Sequence, residues 1–143
     1  AFAKSLFFLI AGALSYSCGT RMLPRLKGVL KKMPLLGIGF CVAALAITGV
    51  PPFNGFFSKF PIFAAGFALS HEFWVMTPLM VLVLIESVAS FAWFIYWFGR
   101  VIPGTPSEEV AQAAPVPLAM RIVLVVLIAM SVFSSFIAVA CLG

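Results

Sequence analysis

Residues 34–69 form an apolar run that is too long to be one helix. Unbroken, at 1.5 Å per residue, it would reach about 54 Å, whereas a bilayer's hydrocarbon core is about 30 Å thick. In its middle stands LAITGVPPFNGFFSKFPIF, residues 45–63. Pro51 and Pro52 lack amide donors and clash with a preceding helical turn. Gly49 and Gly55 permit backbone that other residues avoid, and Asn54 and Ser58 can hydrogen-bond exposed backbone groups. The run is therefore expected to be a broken helix, with its joint near 49–58. Irregular backbone at membrane depth is tolerated only inside protein or against a water-filled cavity. Lys59 lies at the start of the second half-helix, four residues past Gly55.

The surroundings of this run point to lipid as the solvent. Hydrophobic residues make up 64% of the 143 and charged residues 9%, against roughly 25% charge in a soluble domain. Three further apolar segments, about 1–18, 75–98 and 119–142, complete four expected membrane spans. The fold class expected is all-α: a polytopic membrane protein with one discontinuous helix among its four transmembrane segments. The first residue is alanine and the first apolar run begins at once. The chain therefore reads as a fragment or a processed piece, with a helix cut at its N-terminus. No basic region precedes that run, so no signal-peptide pattern is present.

The loops set the expected orientation. Residues 19–33 hold Arg21, Arg25, Lys27, Lys31 and Lys32 and no acid. The next loop, with His71 and Glu72, has no lysine or arginine, and the third is flanked by Arg100 and Arg121. This alternation follows the positive-inside rule, with the first and third loops cytoplasmic. The net charge of +5 is thus topological rather than a nucleic-acid signal. The segment LPRLKGVLKKMP either anchors topology or forms a short interfacial helix. PGTPSEEVAQAAPVP, residues 103–117, reads as an ordinary polar connector.

Three ionisable residues are expected at membrane depth: Lys4, Lys59 and Glu86. Each costs about 2.5–3.5 kcal/mol at a helix centre on insertion scales. Such residues usually face a protein interior or an aqueous cavity and mark ion paths. Lys4 lies about 21 Å along its helix from Cys18, and its alternative is to snorkel to the outer surface. Glu86 is near the centre of an apolar run. Its alternative is a protonated carboxyl bonded to a neighbouring helix through Ser87 or Ser90. Lys59, desolvated and close to the positive end of the second half-helix, is suited to release and regain a proton. Its alternative is a structural lysine pinned to a partner acid.

Other chemistry has little support. Cys18, Cys41 and Cys141 are scattered, which disfavours zinc or redox pairing, and they read as small packing residues. His71 beside Glu72 reads as a solvated surface pair. No cofactor, metal, flavin or quinone ligand set is expected in this chain.

AFAKSLFFLIAGAL, then TRMLPRLKGVLKKMP, then ALAITGVPPFNGFFSKF resembles, in that combination, the C-terminal part of antiporter-like membrane subunits. These occur in respiratory complex I, Mrp sodium/proton antiporters and membrane-bound hydrogenases. LIESVASFAWFI and PFNGFFSKFP are similar to the hydrogenase-4 component D group, in the membrane arm of a formate hydrogenlyase. The resemblance implies a parent fold of about fourteen helices with inverted repeats, of which residues 1–143 would be the last four. It puts Lys59 at the terminal lysine or glutamate position of the second broken helix. It puts Lys4 at the lysine of an HAFxK pattern whose histidine would precede Ala1. Glu86 is outside the family pattern.

The function expected is translocation of protons, or of sodium, by a subunit of a redox-driven complex of the hydrogenase type. Lys59, Lys4 and Glu86 are the proton-transfer candidates. Expected partners are the other membrane and peripheral subunits and the lipid bilayer, with no nucleic acid, and the expected location is the bacterial cytoplasmic membrane. The alternative is a membrane scaffold of that complex without ion conduction; a catalytic role for the chain itself has no residue set to support it.

Overall fold

The structure, a computed structural model, describes residues 2–51 and 53–142, without the side chains of Asn54, Ser135, Ala138, Val139, Cys141 and Leu142. Pro52 and the side chains of Asn54 and Cys141, all singled out above, thus lie outside the described residues. No strand is present among the described residues. The helices are α1 (Phe2–Cys18), α2 (Val29–Lys32), α3 (Pro34–Thr48), α4 (Asn54–Ala68), α5 (Met76–Val101), α6 (Glu108–Ala111) and α7 (Leu118–Leu142). Among the described residues α5 is the one helix long and apolar enough to cross a membrane unaided, while α1, α3 and residues 118–134 of α7 are shorter apolar helices.

The 34–69 run is divided between α3 and α4. Pro34 opens α3 at a position where a missing amide costs nothing. Gly49 caps its far end in the left-handed region, at φ +85°. There the Leu45 carbonyl accepts the amides of Gly49 (3.2 Å) and Val50 (3.1 Å). The Val50 carbonyl then accepts the Phe53 amide at 3.0 Å and leads the chain into α4. The Gly49, Val50 and Phe53 amides thus find partners within the turn.

α1, α3 and α7 pack against one another, and small residues set the spacing. Ala3, Ala13, Gly37, Gly39, Ala43, Ala44 and Ala46 are buried. In a bilayer, which offers no hydrophobic drive between helices, close backbone approach and dispersion are what would hold such a group together. α5 is joined to this group by aromatic contacts. Phe7 of α1 meets Phe40 of α3 at 5.5 Å between ring centroids and Phe94 of α5 at 5.6 Å. Phe40 stacks on Phe98 at 6.4 Å.

At one end of the bundle the basic loop and the proline-rich connector are stitched together. The Gly28 amide donates to Val101 O (3.0 Å), Leu30 to Ile102 O (3.1 Å), Ser107 to Lys27 O (3.1 Å) and Ala114 to Ser17 O (2.9 Å). The Ser107 hydroxyl also donates to the Arg25 carbonyl. Val29, Val101, Ile102 and Val110 are buried beneath. Of the two readings of this segment, the short interfacial helix takes the form of two short turns, Leu23–Arg25 and α2, separated at Gly28. The connector, read from sequence as an ordinary polar link, is docked on the basic loop.

Candidate functional site

The joint between α3 and α4 brings two of the three membrane-depth candidates together. Lys59, in the second turn of α4, is half-buried. Its Nζ donates to the Ser87 hydroxyl of α5 at 3.1 Å and lies 3.4 Å from the carbonyl of Thr48, the last residue of α3. The amine therefore reaches back across the joint to the carbonyl end of α3, the negative end of that helix's dipole. Thr48 is the last residue of α3 and the residue four further on, Pro52, has no amide to donate, which leaves its main-chain oxygen for the lysine, while its hydroxyl donates to the Ala44 carbonyl at 2.8 Å.

Close backbone approach makes this reach possible. A Cβ added to Gly55 would strike the Ala46 carbonyl oxygen, so the first turn of α4 lies directly on α3. A Cβ on Gly49 would come within 3.1 Å of Lys59 Cδ, so the lysine stem crosses the glycine itself. Ser58 bonds back within the first turns of α4, its hydroxyl donating to Gly55 O at 3.0 Å.

Lys4 and Lys59 line one cleft of about 330 Å³, with Ala3, Ala46, Ile47, Gly55 and Ser58. Lys4 is exposed and forms no hydrogen bond or ion pair among the described residues. The cleft lies at a consistent depth. Lys4 is 14 residues from the end of α1 (18 − 4), Thr48 is 14 from the start of α3 (48 − 34) and Ser87 is 14 from the end of α5 (101 − 87). Each offset is about 21 Å. All three of those helix ends meet the stitched loops, so a polar layer crosses the bundle near the depth expected for a bilayer's interior. On α7, Ser131 and Ser134 fall near the same height, with hydroxyls that are buried and without a hydrogen-bond partner among the described residues.

Glu86 is not brought to this cleft. It is exposed on the outer face of α5 and accepts a 2.7 Å hydrogen bond from Ser90 of its own helix. Of the two serines considered as its partners in the alternative reading, Ser90 of its own helix bonds it, Ser87 serves Lys59, and no bond to a neighbouring helix is found among the described residues. The rotation of α5 separates the adjacent residues: about 100° per residue turns Ser87 inward and Glu86 outward. The acid partner considered for Lys59 is likewise not found among the described residues; its contacts are a hydroxyl and a carbonyl.

Sequence reasoning missed Ser87 as a partner of the lysine. A readable trace exists, because Ser87, Phe91, Phe94 and Phe98 recur at spacings of four, three and four. That spacing marks one face of a helix. Phe91, Phe94 and Phe98 line a small apolar cavity of about 170 Å³ against Cys41, Ala44, Leu45 and Thr48 of α3. A larger cavity of about 600 Å³, among Phe7, Ile10, Leu14, Phe40 and Trp93, holds neither amine. Volume therefore does not select the site.

The family model described as NADH:quinone oxidoreductase/Mrp antiporter, TM matches residues 1–86, which covers α1 to the middle of α5 and both lysines. The chain belongs to this family of antiporter-like membrane subunits. It is 34% identical over 125 residues to a Staphylococcus aureus protein named as antiporter subunit mnhD2, covering 87% of this chain and 24% of that one. It is 30% identical over 123 residues to a Na(+)/H(+) antiporter subunit of Bacillus subtilis, covering 85% of this chain and 25% of the relative. Against the Na(+)/H(+) antiporter subunit A1 of Staphylococcus haemolyticus, identity is 32% over 135 residues, covering 87% and 17%. The chain thus spans about a quarter or less of the length of the curated relatives it matches.

Proposed function

We propose that this chain is the C-terminal part of an ion-translocating, antiporter-like subunit, and that Lys59 carries a proton through the middle of the membrane with Lys4 as its neighbour on the path. One observation supports this above the others: Lys59 crosses a non-helical joint to bond the end of α3 and shares a cleft with Lys4. Two amines lining one cavity repel when both are charged. A proton arriving at one therefore favours release from the other, which is the elementary step of a relay. The joint supplies carbonyls that a continuous helix would have kept for itself.

In this reading α1, α3 with α4, α5 and α7 are four membrane segments, and α3 with α4 is one discontinuous span. The five basic residues of 19–33 hold the stitched loops on the cytoplasmic side of a bacterial inner membrane. The transported ion is the proton, or sodium exchanged against it, as the names of the relatives suggest. The assembly has several subunits, and any redox cofactors belong to the others. A hydrogenase-type, redox-driven assembly is the finer reading, supported by the likeness of LIESVASFAWFI and PFNGFFSKFP to that group. Ion transfer through Glu86 would need a group outside the described residues, since its carboxylate faces away from the cleft.

The test is Lys59→Ala in the complete subunit within its native assembly, read as ion-gradient formation in inverted membrane vesicles. Transport should fall at least tenfold while the assembled amount stays within twofold of wild type. Undiminished transport refutes the relay. Lost assembly with normal transport per assembled complex marks the chain as a scaffold. Repeating the assay with and without sodium at fixed pH identifies the ion. Dependence on formate or hydrogen as the driving substrate tests the redox attachment.

A further inference from the structure

Resting on the reading of Lys59 as an ion-carrying amine, we infer that Ser87 of α5 is its positioning residue, the group that holds the amine at the joint in both of its protonation states. The Ser87 hydroxyl accepts from Lys59 Nζ at 3.1 Å, and the second contact, Thr48 O, is longer at 3.4 Å. The two partners differ in chemistry. A carbonyl can only accept, so it serves the ammonium and also a neutral amine that keeps an N–H toward it. A serine hydroxyl accepts from the ammonium, and by rotating it donates its own proton to the lone pair of the neutral amine. Ser87 can therefore keep the nitrogen in place as the proton leaves, whereas Thr48 O cannot engage the exposed lone pair.

The surroundings leave few alternatives for this task. α3 carries no charged side chain. α1 contributes Lys4 at the same cleft. On α5 the nearest acid, Glu86, is exposed and bonded to Ser90, and Arg100 lies in the last turn with its guanidinium over the Tyr96 ring. α7 has Arg121 in its first turn, and the turn after α4 has His71, then Glu72. None of these is bonded to Lys59. The Ser87 oxygen is thus the polar contact that α5 makes with the lysine among the described residues. Because α5 is a separate helix, a small rotation or axial shift of it would engage or release the amine.

The experiment compares Ser87→Ala, Ser87→Cys and Ser87→Thr with wild type and Lys59→Ala, in the complete subunit within its assembly. Transport is followed across a pH range in inverted vesicles, with assembled protein quantified in parallel. A hydrogen bond to a charged group is stronger than one between neutral groups. Losing the hydroxyl should therefore weaken the proton-loaded state more than the empty one. Ser87→Ala is expected to lower transport roughly three- to tenfold and to move its pH profile toward lower pH, with Ser87→Thr restoring both. Ser87→Cys is nearly isosteric and a weak acceptor, so it separates packing from hydrogen bonding if the alanine variant assembles poorly, and it should behave like alanine. A wild-type rate and pH profile in Ser87→Ala or Ser87→Cys, alongside a dead Lys59→Ala, overturns the positioning role and leaves the relay standing. A fully active Lys59→Ala removes the relay, and the inference with it.

Discussion

At the scale of single residues, the absence of a side chain does as much as its presence. Gly55 lies where any Cβ would meet the Ala46 carbonyl, and that oxygen belongs to the backbone of α3 and cannot swing aside. Replacing Gly55 with alanine must push the first turn of α4 away from α3, at an overpacking cost of about 1–3 kcal/mol. The shift acts on Lys59 one turn later and lengthens contacts that already stand at 3.1 and 3.4 Å. Gly55→Ala is therefore expected to lower the thermal midpoint of the detergent-purified assembly and to reduce vesicle transport at least as far as Ser87→Ala does. Wild-type values in both assays would mean that the close approach is not needed. Gly49 is constrained differently: at φ +85° an L-residue meets its own carbonyl, at about 1–2 kcal/mol.

At the scale of elements, α5 decides whether the site is complete, and its attachment is mostly aromatic. Phe94 meets Phe7 edge-on at 5.6 Å and adjoins the cavity beside Thr48, so it holds the face of α5 that carries Ser87. In lipid, truncating it forfeits dispersion and ring contacts rather than a hydrophobic transfer term. The loss expected for Phe94→Ala is about 1–3 kcal/mol, the sum of an aromatic pair and a partly collapsed void. Ile85→Ala, on the exposed side of the same helix, should change stability by no more than about 0.5 kcal/mol. Thermal unfolding of the two variants side by side checks this, and equal losses would mean that α5 is not held by this face. The same helix shows what could be read from sequence and what could not. The all-helical class follows from apolar runs with Gly and Pro between them, and depth along each run picks out Lys4 and Lys59 one by one, while their meeting in one cleft is a product of packing. The inward face of α5 did not stand out, because Leu82, Ile85, Val88 and Trp93 are apolar as well. A helix that is apolar all round has no polar side to announce its orientation. Ser87, considered only as a partner of Glu86, consequently meets Lys59, and Glu86 faces outward onto Ser90. The Lys59–Ser87 contact spans 28 residues of sequence, a pairing set by tertiary packing rather than by local pattern.

At the scale of the whole molecule, the helices that meet at the cleft are fixed at the far end, about 21 Å away along α5. The clamp there is largely main chain. The Gly28 and Leu30 amides hold the end of α5, the Ser107 amide holds Lys27 O, and the Ala114 amide holds the end of α1. Gly28 permits this by taking φ +75°, and a Cβ there would collide with the backbone of Thr105 and Pro106. Its ionic supplement is slight. Arg25 and Glu109 approach to 3.9 Å with the arginine largely exposed, and pairs of that kind contribute about 0–1 kcal/mol. If the clamp sets the axial register of α5, and through it the distance from Ser87 to Lys59, then backbone contacts matter far more than charge. Gly28→Val should detach the connector, because it adds strain at positive φ to a clash with an unyielding neighbour. Protease cleavage within residues 103–117 should become at least tenfold faster, and ion transport should fall without any change near the cleft. Glu109→Ala should leave both within twofold of wild type. A Gly28→Val protein that resists protease and transports normally would show that α5 keeps its register through the aromatic contacts alone, and that the two loops serve orientation without serving the site.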